Sequence, residues 1–107
     1  MNPIIKVIEL SGILDGIKGD ELRRKVTIVM ANKADIVLID LKDVKFVDNS
    51  GLSALISAMQ IVRNANGELF VCSVSNQLQI LFELIKMERT FRSFANRDEF
   101  NRFIRPE

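Results

Sequence analysis

The chain has 107 residues, 48% of them hydrophobic, enough for one domain with a continuous core and too few for two. Its 15 basic and 14 acidic residues leave the net charge near zero, so no global field draws it to nucleic acid or to a membrane surface. Histidine is absent and Cys72 is the sole cysteine, which excludes Ser-His-Asp and Cys-His catalysis, histidine or multi-cysteine metal sites, and an internal disulfide.

Ile4 to Leu10 reads as a strand, with β-branched Ile4, Ile5, Val7 and Ile8. Ser11 to Gly19 carries three glycines and reads as a loop. Asp20 is the expected N-cap of a first helix, in which Leu22, Val26, Val29 and Met30 recur at helical spacing. Ile36 to Leu41 is a compact strand, apolar on both faces as expected where helices cover both sides. Asp43 to Asn49 reads as a connection, with Phe46 and Val47 turned inward. A second helix should begin at Ser50, bury Leu52, Leu55, Ile56, Met59 and Val62, and end at Asn66-Gly67. Leu69 to Val74 is another buried strand, after which Ser75 caps a third helix with Leu78, Leu81, Phe82 and Ile85 inside. Thr90 to Phe94 is a short strand, and Asp98 to Ile104 a last helix packing Phe100 and Phe103 or Ile104.

This alternation predicts one α/β domain over residues 1–107, a largely parallel sheet of about four strands with flanking helices. In such sheets partners favour the end where strand C-termini feed helix N-termini. No apolar run approaches the roughly 20 residues that span a bilayer. The N-terminus lacks a signal-peptide pattern. With its lone thiol the chain is expected in the cytoplasm.

The most informative stretch is Asp48-Asn49-Ser50-Gly51-Leu52, which follows a strand and opens a helix. Asp, Asn and Ser are ordinary N-cap residues, each worth about 1 kcal/mol in that role, so taken alone such a serine reads as a cap. Gly51 removes side-chain bulk from the first turn and would let another molecule approach the backbone. The free N–H groups of that turn favour negative charge, so a hydroxyl there could carry a phosphate without destroying the helix.

The ordered set of segments resembles the STAS family, in particular its bacterial anti-sigma factor antagonists. Val37-Leu38-Ile39-Asp40-Leu41 followed by Phe46-Val47-Asp48-Asn49-Ser50-Gly51-Leu52 is similar to the family's apolar strand and Phe-apolar-Asp-Ser-Ser-Gly-Leu signature. Leu10-Ser11-Gly12-Ile13-Leu14-Asp15 resembles its Leu-Thr-Gly-Glu-Leu-Asp turn, and Asn66-Gly67 before Leu69 its Gly-Gly-strand step. The resemblance implies that Ser50 is the serine a cognate kinase phosphorylates. It places Asp15, Asp48, Asn49, Gly51 and Ser53 with Ser50 on the partner-binding surface. Two positions depart from the pattern: Asn49 stands for the first serine and Ile13 for the glutamate. Many relatives also carry one more strand before Ile4, which would leave a sheet edge bare or differently covered here.

The implied function is that of an anti-sigma factor antagonist in a partner-switching system, and not an enzyme. Unmodified, it would bind an anti-sigma factor serine kinase; phosphorylated at Ser50 it would let go, and a serine phosphatase would reset it. The kinase would supply ATP and metal, so the chain needs no cofactor of its own. The alternatives within the family are a STAS subunit of a membrane lipid-transport complex and a scaffold subunit of a sensory assembly.

Other features read as structural. Gly12, Gly16 and Gly19 with Lys18 fit neither the P-loop nor the dinucleotide spacing and suggest a flexible turn. Arg89, Arg92, Arg97, Arg102 and Arg105 interleave with Phe91, Phe94, Phe100 and Phe103. They suggest solvated arginines over core aromatics rather than an RNA-binding face. Cys72 in its apolar strand reads as a small core hydrophobe.

Overall fold

Ile36, Val37, Leu38 and Ile39 are all buried, because the strand they form has helices against both of its faces. The structure is a computed structural model that describes residues 2–104. The elements are β1 (Ile5–Leu14), α1 (Gly16–Ala31), β2 (Ile36–Val47), α2 (Asn49–Asn64), β3 (Glu68–Cys72), α3 (Asn76–Leu84), β4 (Ser93–Phe94) and α4 (Arg97–Ile104). The four strands form one parallel sheet in the order β1-β2-β3-β4. Successive parallel strands that stay neighbours, joined by crossovers of one hand, put their connecting helices on the same side. Accordingly α1, α2 and α3 share a core with the face carrying Ile8, Leu10, Val37, Ile39 and Val71. Among the described residues only α4 covers the other face, with Phe100 packed on Ile36, Leu38, Phe70 and Cys72.

The predicted alternation and parallel sheet are therefore present, but several boundaries move. Ser11–Leu14 is strand, not loop, and Asp43–Val47 continues β2 rather than connecting it to a helix. Strand pairing explains both changes: Gly12 pairs with Val44, Ile13 with Phe46 and Leu14 with Val47. Gly12 takes a positive φ of 73° beside a register shift, a backbone state that favours glycine. Val47 is buried as expected, whereas Phe46 faces solvent, since neighbouring residues of a strand point to opposite faces. On α3, Leu78 and Phe82 are buried and Leu81 is partly so, but Ile85 is 40% exposed just past the helix end.

The end of α2 follows the predicted Asn66-Gly67 signal with the roles divided. Asn66 takes the left-handed conformation, at φ 64°, and Gly67 N–H donates to the Val62 carbonyl. A Cβ on Gly67 would lie 2.7 Å from Met30 Cε, the movable end of a side chain, and 3.2 Å from the Asp35 carbonyl oxygen, so the turn packs closely at this glycine. Among the aromatics, Phe91 and Phe100 are buried, while Phe103 is partly exposed beneath the Arg92 guanidinium, 4.8 Å from its ring centre. Arg105 lies outside the described residues. No helix among the described residues is long and apolar enough to cross a membrane.

β1 is an edge strand of the sheet. On the α4 side, Arg97 bridges the first two strands. Its Nε donates to Asp40 at 2.9 Å and its Nη2 to Glu9 at 2.6 Å. Asp40 is the buried charged residue among those described, and this bridge, with the Lys42 amide, is what satisfies its carboxylate.

Candidate functional site

Two strand-to-helix corners lie side by side at the C-terminal end of the sheet. β1 ends at Leu14, Asp15 caps, and α1 starts at Gly16; β2 ends at Val47, Asp48 caps, and α2 starts at Asn49. The corners are tied by the Asp48 N–H, which donates to the Leu14 carbonyl at 3.2 Å. Asp15 accepts from Lys18 N–H at 3.1 Å, and Asp48 accepts from Gly51 N–H at 2.8 Å. Each carboxylate thus satisfies one of the free donors of a first turn.

These caps correct two expectations. The first helix is capped by Asp15, a full turn before Asp20, which instead pairs with Arg23 at 2.8 Å. The second is capped by Asp48, so Ser50 is not the cap. Ser50 occupies the second position of α2, exposed, and its hydroxyl makes no hydrogen bond among the described residues. It is a solvent-facing hydroxyl on a first turn whose dipole favours negative charge.

Gly51 departs from its expected role more sharply. It is buried, and a Cβ on it would stand 2.0 Å from the Leu14 carbonyl oxygen. Its lack of a side chain lets α2 press against the end of β1; it offers no exposed backbone to another molecule. The remaining predicted residues lie at the surface or close to it. Asn49 and Ser53 are exposed, and Asp15 and Asp48 are half-buried by their capping.

Ser50, Ser53 and Asp15 meet around an open cavity of about 460 Å³ between α1 and α2, whose walls include Gly16, Ile17, Asp20 and Arg23. The helices approach closely because glycines of α1 face small residues of α2. A Cβ on Gly19 would meet Ala54 Cβ at 2.7 Å, and one on Gly16 would reach Ser50 Cβ at 3.7 Å. The spacing of Gly16 and Gly19, three residues apart, was the available signal for this packing. The site carries charges of both signs: Asp15, Asp20 and Arg23 line the cavity with Ser50, Arg23 is engaged by Asp20, and Asp48 caps the helix two residues before the serine. Among the described residues no group of three or more His, Cys, Asp or Glu is arranged to hold a metal ion.

A family model described as the STAS domain matches residues 2–100. The anti-sigma F factor antagonist of Paenibacillus polymyxa is 25% identical over 81 residues, which span 75% of this chain and 69% of that protein. A sulfate transporter family protein from Wolinella succinogenes superposes with a TM-score of 0.83 at 18% identity, over 97% of this chain and 88% of that one. The anti-sigma factor antagonist SpoIIAA in its unphosphorylated form superposes with a TM-score of 0.75 at 18% identity, over 94% and 89% of the two chains. At these identities the structural likenesses establish the fold.

Proposed function

This chain belongs to the STAS domain family, and from that premise we propose that it is an anti-sigma factor antagonist whose hold on an anti-sigma factor serine kinase is released by phosphorylation of Ser50. The observation that carries the reading is the position of Ser50: second residue of α2, exposed, with its hydroxyl spared from capping by Asp48. The similarity to an anti-sigma F factor antagonist supports the partner class.

In the proposed cycle the Ser50 hydroxyl attacks the γ-phosphorus of ATP held by the kinase. The new O–P bond forms as the bond to ADP breaks, and the hydroxyl proton passes to a base of the kinase. A serine phosphatase returns the hydroxyl by transferring the phosphoryl group to water. This chain contributes the nucleophile and the surface around it, while ATP and its metal belong to the kinase.

Intact mass after incubation with ATP and purified kinases of this class tests the assignment. Wild type should gain one phosphoryl group, and Ser50→Ala should gain none. Equal phosphorylation of the two chains would place the modification elsewhere.

A further inference from the structure

β4 covers only part of the β3 edge. Val71 pairs with Ser93 and Cys72 with Phe94, and among the described residues no strand reaches Leu69 or Phe70 on that side. The Val71 N–H donates to the Arg92 carbonyl at 3.0 Å, and the Glu68 N–H points the other way, to the Asp35 carbonyl at 3.0 Å. Successive N–H groups of a strand alternate between its two neighbours. The Leu69 N–H therefore faces the same side as that of Val71, where it meets no acceptor among the described residues. Leu69 lines a cavity of about 110 Å³ at this place, at the start of β3 and so at the opposite end of the sheet from Ser50. Arg63 enters the cavity wall from the last turn of α2, and Arg89, Thr90 and Arg92 enter it from the segment between α3 and β4.

The salt bridges among the described residues engage Arg23 and Arg97 and none of these three arginines. Glu68 is the one carboxylate on the cavity wall, and it is exposed and forms no salt bridge with them. Glu88 precedes Arg89 in the chain and lies outside the wall. Three positive groups thus face one negative group. Arg92 is also held in place: its guanidinium lies 4.8 Å from the centre of the Phe103 ring and 5.6 Å from that of Phe70, and its carbonyl is fixed by Val71. Stacking uses the flat face of a guanidinium and leaves the N–H groups at its edge free to donate. We infer that this cavity binds a single phosphate group, as the free ion or as a small phosphomonoester, through Arg63, Arg89, Arg92 and the Leu69 N–H. Its volume is far below the roughly 300 Å³ at which pockets for drug-sized ligands begin, so it takes one small charged group and leaves the rest of an ester in solvent. A carboxylate brings one charge and two oxygens, too few for three arginines and an amide, whereas a phosphate brings nearly two charges and at least three oxygens. The site does not rest on the Ser50 switch.

The experiment is an amide NMR titration of the full chain with inorganic phosphate and, separately, with O-phosphoserine, in a buffer free of phosphate and sulfate and at constant ionic strength. Wild type should show saturable shifts centred on the Leu69 N–H and the segment from Arg89 to Arg92. Arg63→Gln/Arg89→Gln, which touches neither ring contact, should melt like wild type and bind at least about 10-fold more weakly. Arg92→Lys keeps the charge but loses the planar fork, and should also bind more weakly. Arg24→Gln/Lys25→Gln removes the same charge from exposed positions of α1 and should bind like wild type. Saturation by inorganic phosphate alone would assign the site to the free ion, and saturation by both probes would extend it to phosphomonoesters. The absence of saturable shifts with either probe would overturn the site. Equal weakening in the α1 control would overturn it too, as a general charge effect, and so would the same shifts from chloride at equal concentration.

Discussion

Between Leu14 and Gly51 there is no room for a methyl group: the built Cβ stands 2.0 Å from the Leu14 carbonyl oxygen. Gly51→Ala must therefore push α2 away from β1, and it should cost about 3 kcal/mol or more, read as a lower midpoint in urea with an unchanged slope. A midpoint like that of wild type would show that the corner yields. One residue earlier, the cap register decides the chemistry. Asp48, Asn49 and Ser50 can all cap a helix, and nothing local ranks them; pairing of Leu14 with Val47 sets where β2 stops, and so hands the cap to Asp48. Cys72 shows the opposite case, in which the local pattern was sufficient: it is buried in β3 as its apolar neighbours imply. Burial, followed by the Asp40 carboxylate, pushes its thiol up to about 11 from 9.0. Below pH 9 both the folded and unfolded chains hold this proton. Between pH 9 and 11 only the unfolded chain ionises, so stability falls with rising pH by an amount on the order of 2 kcal/mol. At pH 8 a thiol reagent should label Cys72 slowly in the native protein and at once in denaturant; rapid native labelling would contradict the burial.

At the scale of elements, α4 is the sole cover of its sheet face among the described residues, and Phe100 is its main anchor. The ring contacts Phe70 and Phe94, with centroids 5.7 and 5.5 Å apart, and is 1% exposed. Phe100→Ala should cost about 3–5 kcal/mol. It should also raise the rate at which Cys72 is labelled, since Cys72 shares that core. Labelling at the wild-type rate would mean that α4 stays docked without its ring. The last helix and its phenylalanines were legible as a pattern, because amphipathic spacing is local. The two-stranded ribbon of Ser11–Leu14 and Asp43–Val47 was not. Ser11 to Gly19 looks like a loop for its glycines, yet Gly12 accommodates a strand irregularity, and Gly16 and Gly19 let α1 pack on α2. Glycine marks both a turn and a close approach, and only the partner element distinguishes the two. Phe46 was expected inside together with Val47, but alternation against the buried Val47 turns it out, to a face that the described residues leave uncovered.

For the whole molecule, the proposed switch works by charge at a surface rather than by refolding. Phosphorylation adds about −1.5 to −2 charges at neutral pH. The α2 N-terminus favours them by up to about 1 kcal/mol, as does Arg23 in the same cavity, while Asp15, Asp20 and the cap Asp48 oppose them. These small terms of opposite sign leave the fold in place. At a partner surface shaped for a hydroxyl, the phosphate must lose water or meet a mismatched group, which costs several kcal/mol in order of magnitude. The sheet order, the parallel pairing and the place of Ser50 at the start of α2 follow from strand–helix alternation. Which charged groups share the cavity with the serine, and which face of the β1–β2 ribbon the described residues leave open, depend on long-range register and so emerge only in three dimensions. The most direct measurement is calorimetric titration of the cognate anti-sigma factor kinase with wild type, Ser50→Ala and Ser50→Asp, with melting temperatures recorded alongside. Ser50→Ala should bind like wild type and Ser50→Asp about 30- to 150-fold more weakly, all three melting alike; a Ser50→Asp chain that binds as tightly as wild type would contradict the switch at this serine.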